Sequence, residues 1–178
     1  RTRPLLLRLR DRALLLLGFA AALRRSELVS LNVDDLMFVP EGMTVRLRRC
    51  KTDQESEGRT IAVPFGRAAA CPVAAMRIWL SQLSIDIGPV FRSVGTNGAV
   101  SSKKLSDQSV SWIVKARIRE AGMRAEGFSG HSLRSGLVTS AAQAGVSLLM
   151  LQRQTGYKSL AMLSRYVRST AKFAGNAA

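Results

Sequence analysis

Histidine and cysteine are nearly absent from this 178-residue chain, which holds one His, His131, and two Cys, Cys50 and Cys71. Neither cysteine stands at metal-ligand spacing, and one imidazole cannot complete a set. A zinc site is therefore excluded, and both thiols read as free in a reducing compartment. Acidic residues are scarce too, and no carboxylate cluster of the kind that holds Mg²⁺ or Ca²⁺ is present. Aromatic residues make up 6% of the chain. Without a stacking platform, an RNA-binding protein is a distant reading. The apolar run Ala13 to Leu23 is well short of the roughly 18 residues needed to cross a membrane. Basic residues precede it as in a signal peptide, but Arg24 and Glu27 continue the segment with helical spacing, so it reads as a helix of the domain.

What is present is mainly positive charge. Twenty-seven Lys and Arg face twelve Asp and Glu, a net +15 at pH 7. Such an excess fits a polyanionic partner, usually nucleic acid. Most of these residues are arginine, whose planar fork matches phosphate oxygens. The composition, 47% hydrophobic and 22% charged, is that of a globular chain, and the length suits one domain. There are no internal repeats and no low-complexity tracts.

The periodicity predicts a helix over Leu5–Ala22, apolar almost all round and so buried, and a second over Arg25–Leu31. The period then changes. Asp35–Val39, Thr44–Arg49 and Thr60–Pro64 are short, β-branched and separated by turns, which predicts a three-stranded antiparallel sheet. Pro72 opens a helix with Val73, Met76, Ile78, Trp79 and Leu83 on its apolar face. Ile87–Val100 reads as a loop with a short element near Val90. Ser106 or Asp107 caps a helix over Gln108–Ala121 that Gly122 ends. Further helices begin at His131, ending near Gly145, at Leu148 after Ser147, ending before Gly156, and at Leu160 after Ser159. The tail Ser169–Ala178 is small and Ala/Gly-rich.

The groups able to grip a phosphate, move a proton or attack phosphorus concentrate between His131 and Tyr166. His131 and Arg134 lie three apart at a helix start, on one face, where free N–H groups favour an anion. They suit a phosphate site, but taken alone a capping His and a surface Arg is the favoured reading. Tyr157 and Tyr166 are the only tyrosines. Tyr166, within Ser-Arg-Tyr-Val-Arg, is a solvated aromatic, a phosphate binder or a nucleophile. As a nucleophile it needs activation, because about one phenol in a thousand is ionised at pH 7. Glu27 can accept from Arg24 and fix its guanidinium. Lys51 sits at a hairpin end, where a long side chain can reach a neighbouring cleft.

Taken together, Ala22-Leu-Arg-Arg-Ser-Glu-Leu28, Lys51-Thr-Asp, His131-Ser-Leu-Arg134, Gly156-Tyr157 and Arg165-Tyr166 resemble the catalytic domain of the tyrosine recombinase (phage integrase) family. The resemblance runs from Ala13 to Arg168. It implies an α+β fold, mainly α-helical with a small three-stranded antiparallel sheet, of the DNA breaking-rejoining type. It implies a site-specific recombinase or integrase in which Arg24 and Arg134 clamp the scissile phosphate. Tyr166 would form a 3′-phosphotyrosyl link, Lys51 would protonate the leaving 5′-oxygen, His131 would assist proton transfer and Glu27 would support Arg24. The link conserves phosphodiester energy, so no cofactor, ATP or metal is implied.

Tyr157 departs from the pattern, because the family usually has His there, sometimes Trp. A tyrosine donates a hydrogen bond but carries no positive charge, which predicts reduced rather than abolished chemistry. The family's N-terminal core-binding domain is also missing, so residues 1–178 read as a catalytic domain cut from a longer protein. The implied partners are double-stranded DNA and further protomers, four in a synapse, with the tail 169–178 as an exchange segment. No membrane is implied, and the isolated piece is expected to be a monomer, in the bacterial cytoplasm or nucleoid. Lys103, Lys104, Arg117, Arg119, Arg165 and Arg168 are candidates for phosphate contact. Two alternatives remain: a cleavage-impaired DNA-binding protein of the same fold, and a type IB topoisomerase-like enzyme.

Overall fold

A computed structural model describes residues 4–48, 58–83, 86–157 and 159–164. Cys50, Lys51, Arg165, Tyr166, Arg168 and the tail 169–178 lie outside these residues.

Helix α1 (Leu5–Ala20) is the central beam, packed against helices α3 (Pro72–Leu83) and α5 (His131–Gln143). It is less uniformly buried than its apolar sequence predicts. Ala13, Leu14 and Leu17 are sealed, whereas Leu5 and Phe19 reach solvent. Two charged residues, Arg10 and Asp11, are buried on it instead. Gly18 sets how closely α5 approaches, since a Cβ there would lie 2.8 Å from Leu133 Cδ1.

The chain leaves α1 through a tight turn in which Ala22 takes φ +50 and Leu23 N–H donates to Gly18 O at 3.1 Å. That backbone is costly for a residue with a Cβ. Helix α2 (Arg25–Ser30) follows directly. Strands β1 (Leu36–Val39), β2 (Gly42–Leu47) and β3 (Arg59–Pro64) form the expected antiparallel sheet in sequential order, with Val39 opposite Gly42 and Leu47 opposite Arg59. Met43, Val45 and Leu47 alternate inward with Ile61 and Val63 to join the main core.

In α3 the buried residues follow the 3–4 spacing Val73, Met76, Trp79 and Leu83. Ile78 falls off that stripe and is 42% exposed, which corrects its expected place on the apolar face. The stretch expected as a loop, Ile87–Val100, carries β4 (Arg92–Val94), which pairs antiparallel with β5 (Val100–Lys104) at and beyond its end. Its sequence is short and polar, so alternation gives no signal. Long-range bonds hold it instead: Trp79 Nε1–H to Val90 O at 2.9 Å, Val90 N–H to Leu31 O at 2.9 Å and Leu105 N–H to Phe91 O at 2.9 Å.

Helix α4 (Asp107–Glu120) starts at Ser106, whose hydroxyl accepts from Ser109 N–H. Helix α6 (Leu148–Thr155) starts at Ser147 in the same way and ends on Gly156 at φ +66. Residues 160–164 are helical again. Val138, Leu151, Tyr157 and Leu163 make a second, smaller core under α5 and α6.

Asp11 holds α1 and α4 together. Its Oδ1 accepts from Arg10 Nε (2.9 Å) and Nη2 (2.5 Å), and its Oδ2 lies 3.7 Å from Arg117 Nε. Removing the carboxylate leaves Arg10 buried without its counter-charge, a change that costs about 3–5 kcal/mol. Asp11→Ala should therefore lower the urea midpoint at unchanged slope by a shift of that size. A loss below about 1 kcal/mol, the scale of a surface pair, would show that the network is not a stabilising element.

Candidate active site

The site begins at the turn after α1. Arg24 is the residue before the first turn of α2. Its backbone N–H donates to Glu27 Oε2 at 2.8 Å, and its Nη1 donates to Glu27 Oε1 at 2.6 Å. One carboxylate thus caps the helix and orients the guanidinium, as the spacing of three suggested. Glu27 is itself buried.

Arg134 arrives from α5, one turn in from the helix start. It is 1% exposed. Its Nη1 donates to Ala22 O and its Nη2 to Thr155 O, each at 2.6 Å. The guanidinium also lies over the Tyr157 ring, 4.4 Å from its centroid. The strained Ala22 turn and the C-terminal end of α6 are joined through this one side chain. The orphan carbonyls of a helix end, at its negative pole, are natural acceptors for a cation. Gln154 Nε2 adds a bond to Ala20 O at 3.1 Å.

His131 is the first residue of α5 and is solvent exposed. Its pKa lies below the ordinary 6.5 because of partial desolvation, followed by the nearby Arg134 and Arg24 charges. Burial and the charge of Arg24 likewise pull Arg134 below its ordinary value, while the Tyr157 hydroxyl and Glu27 counter them. Arginine stays cationic throughout.

The structure therefore brings together Arg24, Glu27, His131, Arg134 and Tyr157. Lys51 and Tyr166 lie outside the described residues, as do Arg165 and Arg168. Lys103 and Lys104 are exposed on β5, and Arg119 is exposed near the end of α4. Arg117 differs from them. It is paired with Asp11 and Glu120, with Nε and Nη2 buried, so it braces α4 rather than presenting its charge to solvent.

Sequence reading missed Arg59. It opens β3, yet its Nη1 donates to Gln154 O at 3.3 Å and its Nη2 lies 4.0 Å from Glu27 Oε2. Its only sequence signal is a lone basic residue ahead of an apolar strand, which is too common to single out. With Arg59 included, three guanidiniums surround one buried carboxylate among the described residues. Each unmade hydrogen bond on a buried cation costs about 1–3 kcal/mol or more, and Arg59 Nε and Nη2 are buried with no such bond among the described residues. Among the described residues, no group of three or more His, Cys, Asp or Glu could hold a metal ion. No described helix is long and apolar enough to cross a membrane.

The phage integrase family profile matches residues 5–172. An integrase/recombinase xerD homolog of Selenomonas ruminantium is 43% identical over 170 residues, covering 95% of this chain and 50% of its own length. The tyrosine recombinase XerA of Pyrococcus furiosus is 28% identical over 165 residues, 93% of this chain and 52% of its own. The chain spans about half the length of the curated relatives it matches. Among solved structures, the XerH site-specific recombinase bound to a palindromic difH substrate, in a post-cleavage complex, superposes with a TM-score of 0.74 at 19% identity. It covers 96% of this chain and 45% of that one. The XerA recombinase follows at 0.67 and 18%, covering 89% and 51%. These two likenesses show a shared fold. With the profile matching nearly end to end and a relative 43% identical across the chain, this chain belongs to the phage integrase family.

Proposed function

We propose that the chain is the catalytic part of a site-specific DNA recombinase that cuts and rejoins strands through a tyrosine–phosphate link. The observation that carries this reading is the placement of Arg134, buried between Ala22 O and Thr155 O, on the same turn that presents Arg24. Two guanidiniums fixed at one turn match the non-bridging oxygens of a phosphodiester. They are preorganised for the extra charge of a pentavalent phosphorane.

In this reading the Tyr166 oxygen attacks phosphorus. The P–O5′ bond breaks, and the 5′-oxygen takes a proton from Lys51. A 3′-phosphotyrosyl ester remains until a 5′-hydroxyl attacks it and releases Tyr166. The covalent intermediate splits one displacement into two. Glu27 holds Arg24 in place. His131, neutral at pH 7, is set to accept or relay a proton rather than add a third permanent charge. Duplex DNA is the substrate, and recombination requires further copies of the protein on a second duplex. Lys103, Lys104 and Arg119, with Arg165 and Arg168, are proposed contacts to the flanking phosphates.

A second reading, duplex binding without cleavage, is favoured by Tyr157. Its ring is spent stacking on Arg134, and its phenol is a neutral donor.

Incubation with a randomised pool of nicked duplexes decides between the readings. The first expects a covalent protein–DNA adduct that disappears in Tyr166→Phe and persists in Tyr157→Phe. Salt-sensitive binding with no adduct supports the second. An adduct that survives Tyr166→Phe and is lost in Tyr157→Phe would move the nucleophile to Tyr157.

The sole histidine gives a clean pH test. His131 should titrate below 6.5 by NMR, and Arg24→Gln should move its midpoint upward by removing one repelling charge. Folded protein then binds fewer protons at His131 than unfolded chain, so this group costs stability as pH falls through 6.5. A midpoint at or above 6.5 in the wild type would remove the basis for a neutral His131.

A further inference from the structure

The chemistry proposed above leaves Arg59 without a task, although it lies among the groups that perform it. Its side chain leaves the start of β3, opposite Leu47, and crosses to the end of α6. Nη1 donates to Gln154 O at 3.3 Å, and Nη2 stands 4.0 Å from Glu27 Oε2. Gly156 makes room for it, since a Cβ there would collide with Arg59 Nη1. Nε and Nη2 are buried, and neither has a hydrogen-bond acceptor among the described residues.

Other buried arginines direct donors to backbone carbonyls of the fold. Arg92 gives Nε–H to Pro89 O at 2.9 Å and Nη2–H to Ile87 O at 3.0 Å. Arg134 gives both terminal nitrogens to carbonyls. Arg117 shares the buried, unbonded nitrogens, but it lies between two carboxylates, Asp11 and Glu120. The carboxylate beside Arg59 is Glu27, and both of its oxygens already accept from Arg24. Two donors of Arg59 are thus held beside Glu27 with that carboxylate engaged by Arg24.

We propose that Arg59 is a third guanidinium of the phosphate site, donating Nε–H and Nη2–H to a non-bridging oxygen of the scissile phosphate beside Arg24 and Arg134. This rests on reading the cleft as a phosphodiester site. Arg59 packs on Gly156, next to Tyr157, so it supplies a permanent charge at the end of the site where Tyr157 offers only a neutral hydroxyl. Negative charge grows from the diester to the phosphorane, so the contribution of Arg59 should be larger in cleavage than in binding.

The test compares wild type, Arg59→Met and Arg59→Lys. Inorganic phosphate is titrated against the His131 ring-proton signal. Arg59→Met should weaken binding by about tenfold and Arg59→Lys by less, the size expected for a charge-assisted hydrogen bond. In single-turnover cleavage of a nicked duplex, Arg59→Met should slow adduct formation by about a hundredfold. On the same duplex with a methylphosphonate at the scissile position, which lacks the anionic oxygen, the slowing should fall to a few-fold. Equal slowing on both substrates would mean that Arg59 only positions its neighbours, and unchanged phosphate affinity would sink the proposal as well. If Arg59→Met does not fold, Arg59→Lys carries the comparison, because it keeps the charge but loses the forked donors. A wild type that forms no adduct refutes the recombinase reading, and the phosphate titration still decides whether Arg59 binds the anion. A wild type with no saturable phosphate response overturns the third-guanidinium assignment.

Discussion

Arg134 carries its charge at 1% exposure, and the surrounding chain is arranged to make that tolerable. Its terminal nitrogens reach a carbonyl 112 residues away in sequence and another 21 residues away. The first belongs to the turn after α1, where Ala22 holds a positive φ. The second ends α6. A buried guanidinium without such acceptors would be destabilising by several kcal/mol, so the turn, the close approach of α5 to α1 at Gly18 and the end of α6 must all be correct together. Arg134 is therefore a structural tie between the main core and the smaller core of Val138, Leu151, Tyr157 and Leu163, as well as a member of the site.

The same tie sets the electrostatics. Arg24, Arg59 and Arg134 gather about Glu27, and two of them act on His131, whose pKa falls through partial desolvation and then through Arg134 and Arg24. Glu27 is occupied twice by Arg24, which fixes that guanidinium but leaves most of the cluster's charge uncancelled. Low-dielectric surroundings amplify both sides of this balance. Unneutralised cations are costly in the free protein, and for that reason they are effective toward an anion. Preorganisation of this kind needs no rearrangement when charge develops on the ligand.

Much of the fold was legible in local sequence. The ends of α1, α2, α3, α4 and α6 and the three-strand sheet follow from apolar period, Ser caps, Pro72 and Gly156, all interactions within a few residues. The β4–β5 hairpin was not legible, because Trp79 and Leu31 anchor it through Val90 from outside the segment and its own residues are mostly polar. Ile78 was misplaced because hydrophobicity alone does not say which side of a helix faces the core. Arg117, a candidate for phosphate contact, is paired with Asp11 across the helix interface, and nothing near it in sequence reveals that partner.

For the site, the sequence alone determined the inventory and the family resemblance. His131, Arg134, Arg24 and Glu27 stand at helix-start spacings that local geometry turns into shared faces and caps, and the overall charge of +15 fits a polyanionic partner. Tertiary structure alone decided that Arg134 is buried rather than exposed, that Tyr157 serves as its stacking surface, and that Arg59 joins the cluster. Each of these depends on which backbone carbonyls and carboxylates meet across more than twenty residues of chain. Such meetings follow from how the two cores pack together, and no periodicity or spacing in one segment encodes them.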